Sequence, residues 1–502
     1  MTERSLASLL ASAGIVASDR VPSDTMIRGV AIDSRSVRPG DVFFALKGAR
    51  EDGTRFAPEA FRRGAVAVVA DVDAPPSEPK AAWIRVPDAR LAMGLVAREW
   101  FDRPDASLTL VGVTGTKGKT TVTYLVESIA CASGRKAGRI GTVGYAYAGQ
   151  EHAATRTTPE ATELYELLAR MRDASVSVVA MEVSSHALSL HRVAGARFPV
   201  AAFLNLGHDH LEFHGSSEAY FEAKASLFSR LEAGDVAVLP ADDPLGSVLA
   251  GRTAARVVRF GRSGSADVRI VEERSGLSGS TVTLATSEGA IEIATPLRGR
   301  FNVDNVAAAA GCAIALGLPA GAIRSGVAAL RSVPGRLEPV DRGQPFAVLV
   351  DYAHTEESLA AVLDAVRPLT PGRLAVVFGC GGDRDHGKRP RMGRAAAERA
   401  DLLYLTSDNP RSEDPAAILR EIEAGVAEVK GAPARARVIE DRSAAIGAAI
   451  EDARAGDAIV IAGKGHETTQ VFADRTIPFD DRLVASACLA DLGYDGGPLA
   501  GA

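Results

Sequence analysis

Residues 107–133 read SLTLVGVTGTKGKTTVTYLVESIACAS. The opening SLTLVGVT (107–114) is β-branched and apolar, as a buried strand requires, and it runs straight into a glycine-rich turn. TVTYLVESIACAS then has the character of a helix. Strand, turn and helix in that order open an α/β domain. Between strand and helix lie Gly115, Thr116, Lys117, Gly118, Lys119, Thr120 and Thr121, the context a phosphate loop needs. Glycines let backbone N–H groups curl around phosphate oxygens, and the helix N-terminus adds a favourable dipole. Lys119 is then expected to reach the β/γ-phosphates of ATP, and the Thr120 hydroxyl to reach Mg²⁺. A glycine-rich turn with a chance lysine is the bland alternative, and the flanking strand and helix weigh against it. Val113 stands where the longer G-x-x-x-x-G-K-[ST] form needs glycine. The shorter G-x-x-G-K-T form points away from motor and switch NTPases.

Outward from this loop, 502 residues are too many for one core and suggest about three domains. Hydrophobic residues at 46% and charged residues at 24% give an ordinary globular balance. A net charge of −6 and only 5% aromatics argue against a nucleic-acid partner, base-stacking platforms or an anionic membrane surface. Cys131, Cys312, Cys380 and Cys488 form no CxxC pair, so a reducing compartment fits better than a disulfide framework. The N-terminal MTERSLASLLASAGIVAS is too diluted by Ser, Ala and Gly for a signal peptide, and Leu6, Leu9 and Leu10 sit at helical spacing. The uncharged run from Val306 to Ile323 nearly reaches bilayer length. It is Ala- and Gly-rich, broken by Pro319 and preceded by Asp304 and Asn305 as capping residues, so it reads as buried soluble helix.

The expected organisation is α/β throughout, in three domains. Residues 1–104 read as a small mixed α/β unit with strands VFFAL (42–46) and AVAVVA (65–70), an internal loop DAPPSEPK (73–80) and an exit linker FDRPDAS (101–107). Residues 105–335 form a central phosphate-loop domain on a parallel sheet, with further strands VSVVAMEV (176–183), VAAFLNL (200–206) and VAVLP (236–240), and an antiparallel patch over 256–297. After PGR (334–336), residues 336–502 alternate again as a Rossmann-like α/β domain: FAVLVDYA, LAVVFGCGG, LLYLTSDNP, ARVIED and AIVIAGKGHE. Ligands of parallel sheets bind at the carboxyl ends of strands, so these loops are where chemistry is expected.

Glu182 ends VVAMEV and precedes Ser184, Ser185 and His186; a carboxylate at a strand end near a phosphate loop is a natural Mg²⁺ ligand. Five of nine histidines fall between 186 and 214, and His208, His210 and His214 can be drawn as a zinc set. No Cys or carboxylate motif of zinc spacing accompanies them.

The phosphate loop, the DH pair at 209–210 and the downstream FEAKASLF make the chain resemble the Mur ligase and folylpolyglutamate synthetase superfamily. Lys117 departs from the Asn of many members. The resemblance implies that Lys224 is carbamylated by CO₂ and, with Glu182, His210 and Thr120, holds Mg²⁺. Lys119, Lys224 and His210 would carry the catalysis. By itself, Lys224 would read as a solvated helix lysine. Asn302 in RGRFNVDN, Arg336 in PGRLE, and Asp351 and His354 in VDYAHT resemble further ATP-facing positions. The family activates a carboxylate with the γ-phosphoryl group of ATP, and an amine then attacks the acyl phosphate, giving ADP, phosphate and an amide. The acyl phosphate must be kept from water, so closure of an amine-binding domain hinged near 334–340 is expected.

Ile32-Asp33-Ser34-Arg35, RPGDVFFALKG and Asp52-Gly53 look like the uridine-nucleotide domain of the Mur ligases that add the third stem-peptide residue. By that likeness Ile32, Ser34, Ala49, Arg50 and Glu51 contact the UDP-sugar. Arg156, Thr157, Thr158, Ser184 and Arg192 hold the peptide of UDP-N-acetylmuramoyl-L-alanyl-D-glutamate; Leu190 departs from a frequent Gln. Asp408-Asn409-Pro410-Arg411, with Arg389, Gly463 and Glu467, matches a meso-diaminopimelate site. An Arg can grip a distal carboxylate bidentately, and Glu467 would pair with the distal ammonium. L-Lysine, LL-diaminopimelate, ornithine and a folylpolyglutamate-type substrate remain alternatives. A binding protein that has lost its chemistry fits poorly with the joint presence of Lys119, Thr120, Glu182, His210 and Lys224. The expected setting is a cytoplasmic monomer with no nucleic-acid or membrane partner.

Overall fold

The computed structural model describes residues 3–17, 21–48, 51–75, 83–207, 209–429 and 435–496. The chain falls into two compact units, Met1–Ala266 with Ala308–Ala322, and Asp267–Ala307 with Ile323–Ala502.

The first unit begins with four parallel strands in sequence order, Gly29–Ala31, Asp41–Phe44, Ala67–Ala70 and Trp83–Arg85. Side chains alternate across a strand, and the residues sort accordingly. Val42, Phe44, Ala67, Val69 and Ile84 enter one core with Leu6, Leu9 and Leu10 of the helix Leu6–Ser12. Phe43, Val68, Ala70 and Trp83 enter a second core on the other face. The expected exit linker is not loose. Pro104–Ser107 forms a 3₁₀ turn, and Asp105, fully buried, accepts 2.9 Å hydrogen bonds from Arg98 Nε and Nη2. A buried carboxylate needs such a partner, which FDRPDAS by itself does not reveal.

Further along the same unit, strands run in the order Gln150–His152, Tyr145–Tyr147, Ala137–Ile140, Val178–Glu182, Thr109–Thr114, Val200–Phe203, Val236–Pro240 and Arg256–Gly261. The edge hairpin 145–152 is antiparallel. The others pair in parallel, and the phosphate-loop strand Thr109–Thr114 lies among them between Val178–Glu182 and Val200–Phe203. Here the expected patch at 256–297 needs correction. Arg256–Gly261 pairs parallel with Val236–Pro240, while Val268–Gly276, Gly279–Thr286 and Gly289–Thr295 form the antiparallel meander within the second unit. Period-two alternation marks a strand but not its direction.

The helix Arg300–Ala315 starts before Asp304 and Asn305, so these residues lie inside it rather than capping it. The C-terminal strands run Glu338–Pro339, Ala347–Asp351, Ala458–Ala462, Leu374–Phe378, Leu402–Leu405 and Arg435–Val438, parallel apart from the first. Leu349, Val376, Phe378, Leu403 and Val460 fill one face, and Val348, Val350, Val377, Tyr404, Ile459 and Ile461 the other. Both faces are covered, which is why these strands read as continuous apolar runs. Among the described residues no helix is long and apolar enough to cross a membrane.

Candidate active site

Parallel register brings three strand ends level. Glu182 pairs with Val113, and Phe203 with Thr114, so the loops after all three strands emerge together. Gly115 has φ +147°, and a Cβ there would stand 3.1 Å from the Leu204 Cβ. Only glycine combines that conformation with that approach. The phosphate loop is then stitched to the next strand's exit. Thr116 N donates to Asn205 O (3.0 Å), Lys117 N to Asn205 Oδ1 (2.9 Å), and Asn205 Nδ2 to Lys117 O (3.1 Å). Gly207 N donates to Thr116 Oγ1 at 2.9 Å, and the Tyr220 hydroxyl lies 3.1 Å from the same oxygen.

Lys119 begins the helix Lys119–Ala132, and its Nζ folds back onto Gly115 O (2.9 Å) and Thr116 O (3.0 Å). Lys224, on the helix Ser217–Phe228, is 1% exposed and donates to the same Gly115 oxygen at 3.0 Å, with its ammonium 4.3 Å from the Tyr220 ring centre. Burial first, and the charge of Lys119 second, hold the Lys224 pKa well below the ordinary lysine value. Both effects disfavour the cation and favour a neutral amine, the form able to attack CO₂.

Glu182 is 1% exposed; its Oε1 accepts from Thr142 N (2.8 Å) and its Oε2 from Thr142 Oγ1 (3.1 Å). A Cβ at Gly141 would lie 2.3 Å from Oε1, so glycine is what lets this loop close on the carboxylate. His210 has φ +56°, and its ring meets His186 edge-on at 4.6 Å. The His186 pKa is lowered to about 4 by burial and then by His210 and His214, so its ring is neutral near pH 7. His214 Nε2 lies 3.0 Å from Ser185 Oγ. His208, one of the weighed zinc ligands, lies outside the described residues. Among the described residues no group of three or more His, Cys, Asp or Glu gathers as a metal cage.

Beside Glu182 lie the residues expected to hold the acceptor. Thr158 Oγ1 donates to Glu182 O (2.8 Å) and accepts from Ser184 N (3.1 Å). Thr157 Oγ1 lies 3.0 Å from Thr142 Oγ1. Arg192 reaches Thr158 O (3.3 Å) and Glu160 (2.9 Å), while Arg156 lies 3.8 Å from Glu160. In the N-terminal sheet, Ser34 Oγ donates to Glu59 at 2.7 Å, Ile32 is half-buried, and Glu51 pairs with Arg55 at 3.1 Å. Ala49 and Arg50 lie outside the described residues.

The second unit carries the remaining positions. Asn302 is buried and donates to Arg298 O at 2.7 Å. Asp351 ends its strand and accepts from Leu337 N (2.8 Å) and Ala353 N (2.9 Å), which ties the PGR turn to the strand. Arg336 lies over the Tyr352 ring at 5.2 Å, and the His354 ring sits 4.6 Å from it. Asn409 Nδ2 donates to Glu467 Oε2 at 2.9 Å, and Gln470 Nε2 to Asp408 O at 2.8 Å. Arg411, at φ +53°, follows Pro410 and donates from Nη1 to Gly382 O at 2.7 Å. Gly463, at φ +113°, would bring a Cβ within 2.8 Å of Asp408 Oδ2. Arg389 is fully buried: Nη2 bonds Glu413 (2.9 Å) and Nη1 bonds Glu421 (3.1 Å). In this state its charge is already met by protein carboxylates.

Several partners escaped the sequence reading: Thr142, Asn205, Tyr220, Glu413, Glu421, Lys464, Gln470 and the fully buried Arg442–Asp481 pair at 2.7 Å. Lys464 lay inside the quoted GKGHE, but nothing in sequence separates a buried lysine from a solvated one. Asn205 lay in the quoted strand VAAFLNL, and the others come from segments with no motif of their own.

A strand-borne phosphate loop, a carboxylate at the neighbouring strand end and a second α/β sheet with a polar loop cluster define an ATP-using enzyme of the α/β class. Three family models match in succession: "Mur ligase family, catalytic domain" over 26–101, "Mur ligase middle domain" over 113–313, and "Mur ligase, glutamate ligase domain" over 335–465. The UDP-N-acetylmuramoyl-L-alanyl-D-glutamate--2,6-diaminopimelate ligase of Solibacter usitatus is 46% identical over 477 residues, covering 94% of this chain and 95% of its own. A solved structure of a ligase of that name is 32% identical with a TM-score of 0.71, covering 98% and 99%. A folylpolyglutamate synthase of Mycobacterium tuberculosis shares the fold at 20% identity and TM-score 0.61, covering 82% of this chain and 95% of its own. The chain belongs to the Mur ligase family and has its three-domain α/β architecture.

Proposed function

We propose that this chain is an ATP-dependent ligase that adds meso-diaminopimelate to the D-glutamate of UDP-N-acetylmuramoyl-L-alanyl-D-glutamate. The observation that carries the reading is the meeting of the phosphate loop, Lys119, Lys224 and Glu182 at level strand ends, beside Thr158, Ser184 and Arg192. The relatives' shared name supports the choice of substrates.

In this reading the D-glutamate carboxylate takes the γ-phosphoryl group of ATP, ADP departs, and the amine displaces phosphate from the acyl phosphate. Lys119 meets the charge of the transferring group, and the loop N–H groups hold the β-phosphate side in place. Arg192, Thr157, Thr158 and Ser184 orient the acceptor so that its carboxylate lies in line. Thr120, Glu182, His210 and the carbamate of Lys224 would hold Mg²⁺, which when bound neutralises phosphate charge. Asn302, Arg336, Asp351 and His354 are assigned to the nucleotide. Ile32, Ser34, Glu51 and, outside the described residues, Ala49 and Arg50 are assigned to the UDP-sugar. Residues 1–104, 105–335 and 336–502 are the proposed domains, in a cytoplasmic monomer.

Arg411, Arg389, Asp408, Asn409, Pro410, Gly463 and Glu467 form the amino-acid site, with Arg411 gripping the distal carboxylate. A charge-assisted pair of that kind is worth ~1.5–3 kcal/mol. Arg411→Ala should therefore lower kcat/KM for meso-diaminopimelate about ten- to a hundredfold, with KM for ATP and for the nucleotide-peptide little changed. The test is phosphate release by wild type and variant against a panel of meso- and LL-diaminopimelate, L-lysine and ornithine, with dihydrofolate replacing the nucleotide-peptide in one arm. Wild-type preference for L-lysine, or turnover only with the folate, would overturn the reading. An equal loss for every amino acid would make Arg411 a structural turn residue.

A further inference from the structure

We propose that Lys464 is a positioning residue for amino-acid selection, acting through Asn409 and Glu467; this rests on the amino-acid site assigned above. Its side chain has 0% exposure, and its ammonium lies 3.0 Å from Asn409 Oδ1, 3.2 Å from Glu467 Oε2 and 3.9 Å from Asp408 Oδ1. The flanking glycines explain how it gets there. A Cβ at Gly463 would stand 2.8 Å from Asp408 Oδ2, and one at Gly465 would stand 2.7 Å from the Tyr352 Cβ. Both have positive φ, +113° and +54°. The backbone on each side of Lys464 therefore packs directly against its neighbours, and the lysine stem is held under the loop rather than above it.

From that position Lys464 fixes two groups at once. Asn409 Oδ1 accepts from Lys464 Nζ and from Val471 N, each at 3.0 Å, so the amide has one orientation and its Nδ2 must point to Glu467 Oε2. Glu467 Oε2 thus takes two donors, while no hydrogen bond to Oε1 forms among the described residues. One carboxylate oxygen is held and the other is left for a ligand cation. The charges agree with this. Arg442 nearby is neutralised by Asp481, so Asp408, Glu467 and Lys464 together leave a single negative charge. A single negative charge suits one distal ammonium. Without Lys464 the buried Asp408 and the half-buried Glu467 would repel each other and Glu467 would lose its orientation.

The experiment compares wild type, Lys464→Met, Glu467→Gln and Lys464→Met/Glu467→Gln, with KM measured separately for the amino acid, ATP and nucleotide-peptide. Lys464→Met should raise KM for the amino acid about ten- to a hundredfold and leave the other two within about twofold. The double variant lacks the uncompensated Glu467 charge, which guards against misfolding, and it should be no worse than Glu467→Gln alone. Multiplying effects in the double variant, a uniform change in all three KM values, or no change in any would overturn the proposal. The panel above first establishes which amino acid the wild type uses, and that amino acid is used here. A wild type that prefers L-lysine thus refutes the diaminopimelate reading, while the Lys464 comparison still reads out on lysine's own distal ammonium.

Discussion

Lys224→Ala should fold, retain ATP binding and turn over at least ~10³-fold more slowly than wild type, by analogy with the loss of a preorganised charge-stabilising group. Lys224→Arg should be equally poor. The expectation follows from the placement of the ammonium. Lys224 is 1% exposed, shares the Gly115 oxygen with Lys119, and has its pKa held down by burial and by that neighbouring cation. A second permanent cation there gains little from one shared carbonyl, whereas a neutral amine can become an anionic carbamate with two oxygen donors. Arginine cannot make that change. A ¹³C carbamate resonance after incubation with labelled bicarbonate should appear in wild type and be absent from both variants. Near-normal turnover by Lys224→Arg would make the residue a structural cation.

Lys119→Met should lower kcat about 10²–10³-fold, the scale seen when one aimed donor to developing charge is removed. Lys119 Nζ here rests on the Gly115 and Thr116 carbonyl oxygens, contacts it can exchange for phosphate without moving its helix. Because its role is strongest while the phosphoryl group transfers, the loss should fall mainly on kcat, with a smaller rise in KM for ATP. Steady-state kinetics at saturating nucleotide-peptide and amino acid measure the split. A change confined to KM would mean that Lys119 binds ground-state ATP and contributes nothing further.

What the sequence conveyed depended on how local the controlling physics was. The strand–turn–helix around Gly115, and the apolar runs at 178–182, 347–351 and 458–462, were legible because burial on both faces writes itself into consecutive residues. The direction of Arg256–Gly261 was not legible, since a strand's partner lies elsewhere in the chain. The partners of Asp105 in the expected linker and of Arg389 in the expected ligand site were hidden in a related way. Each is buried against a charge, Arg98 in one case and Glu413 with Glu421 in the other, that no local pattern announces. The site motifs point to the residues proposed to face ligands but not to those that hold them: Thr142 under Glu182, Asn205 against the phosphate loop, and Lys464 beneath Glu467.

The acyl phosphate is the centre of the proposed chemistry, and isotope transfer tests it most directly. Nucleotide-peptide bearing ¹⁸O in the D-glutamate side-chain carboxylate is incubated with ATP and meso-diaminopimelate, and the released phosphate is analysed by mass spectrometry. One ¹⁸O atom should appear in each phosphate, alongside ADP and amide in equal amounts, because the carboxylate oxygen that attacks the γ-phosphorus leaves with it. Unlabelled phosphate, or AMP carrying the label with pyrophosphate as co-product, would contradict it.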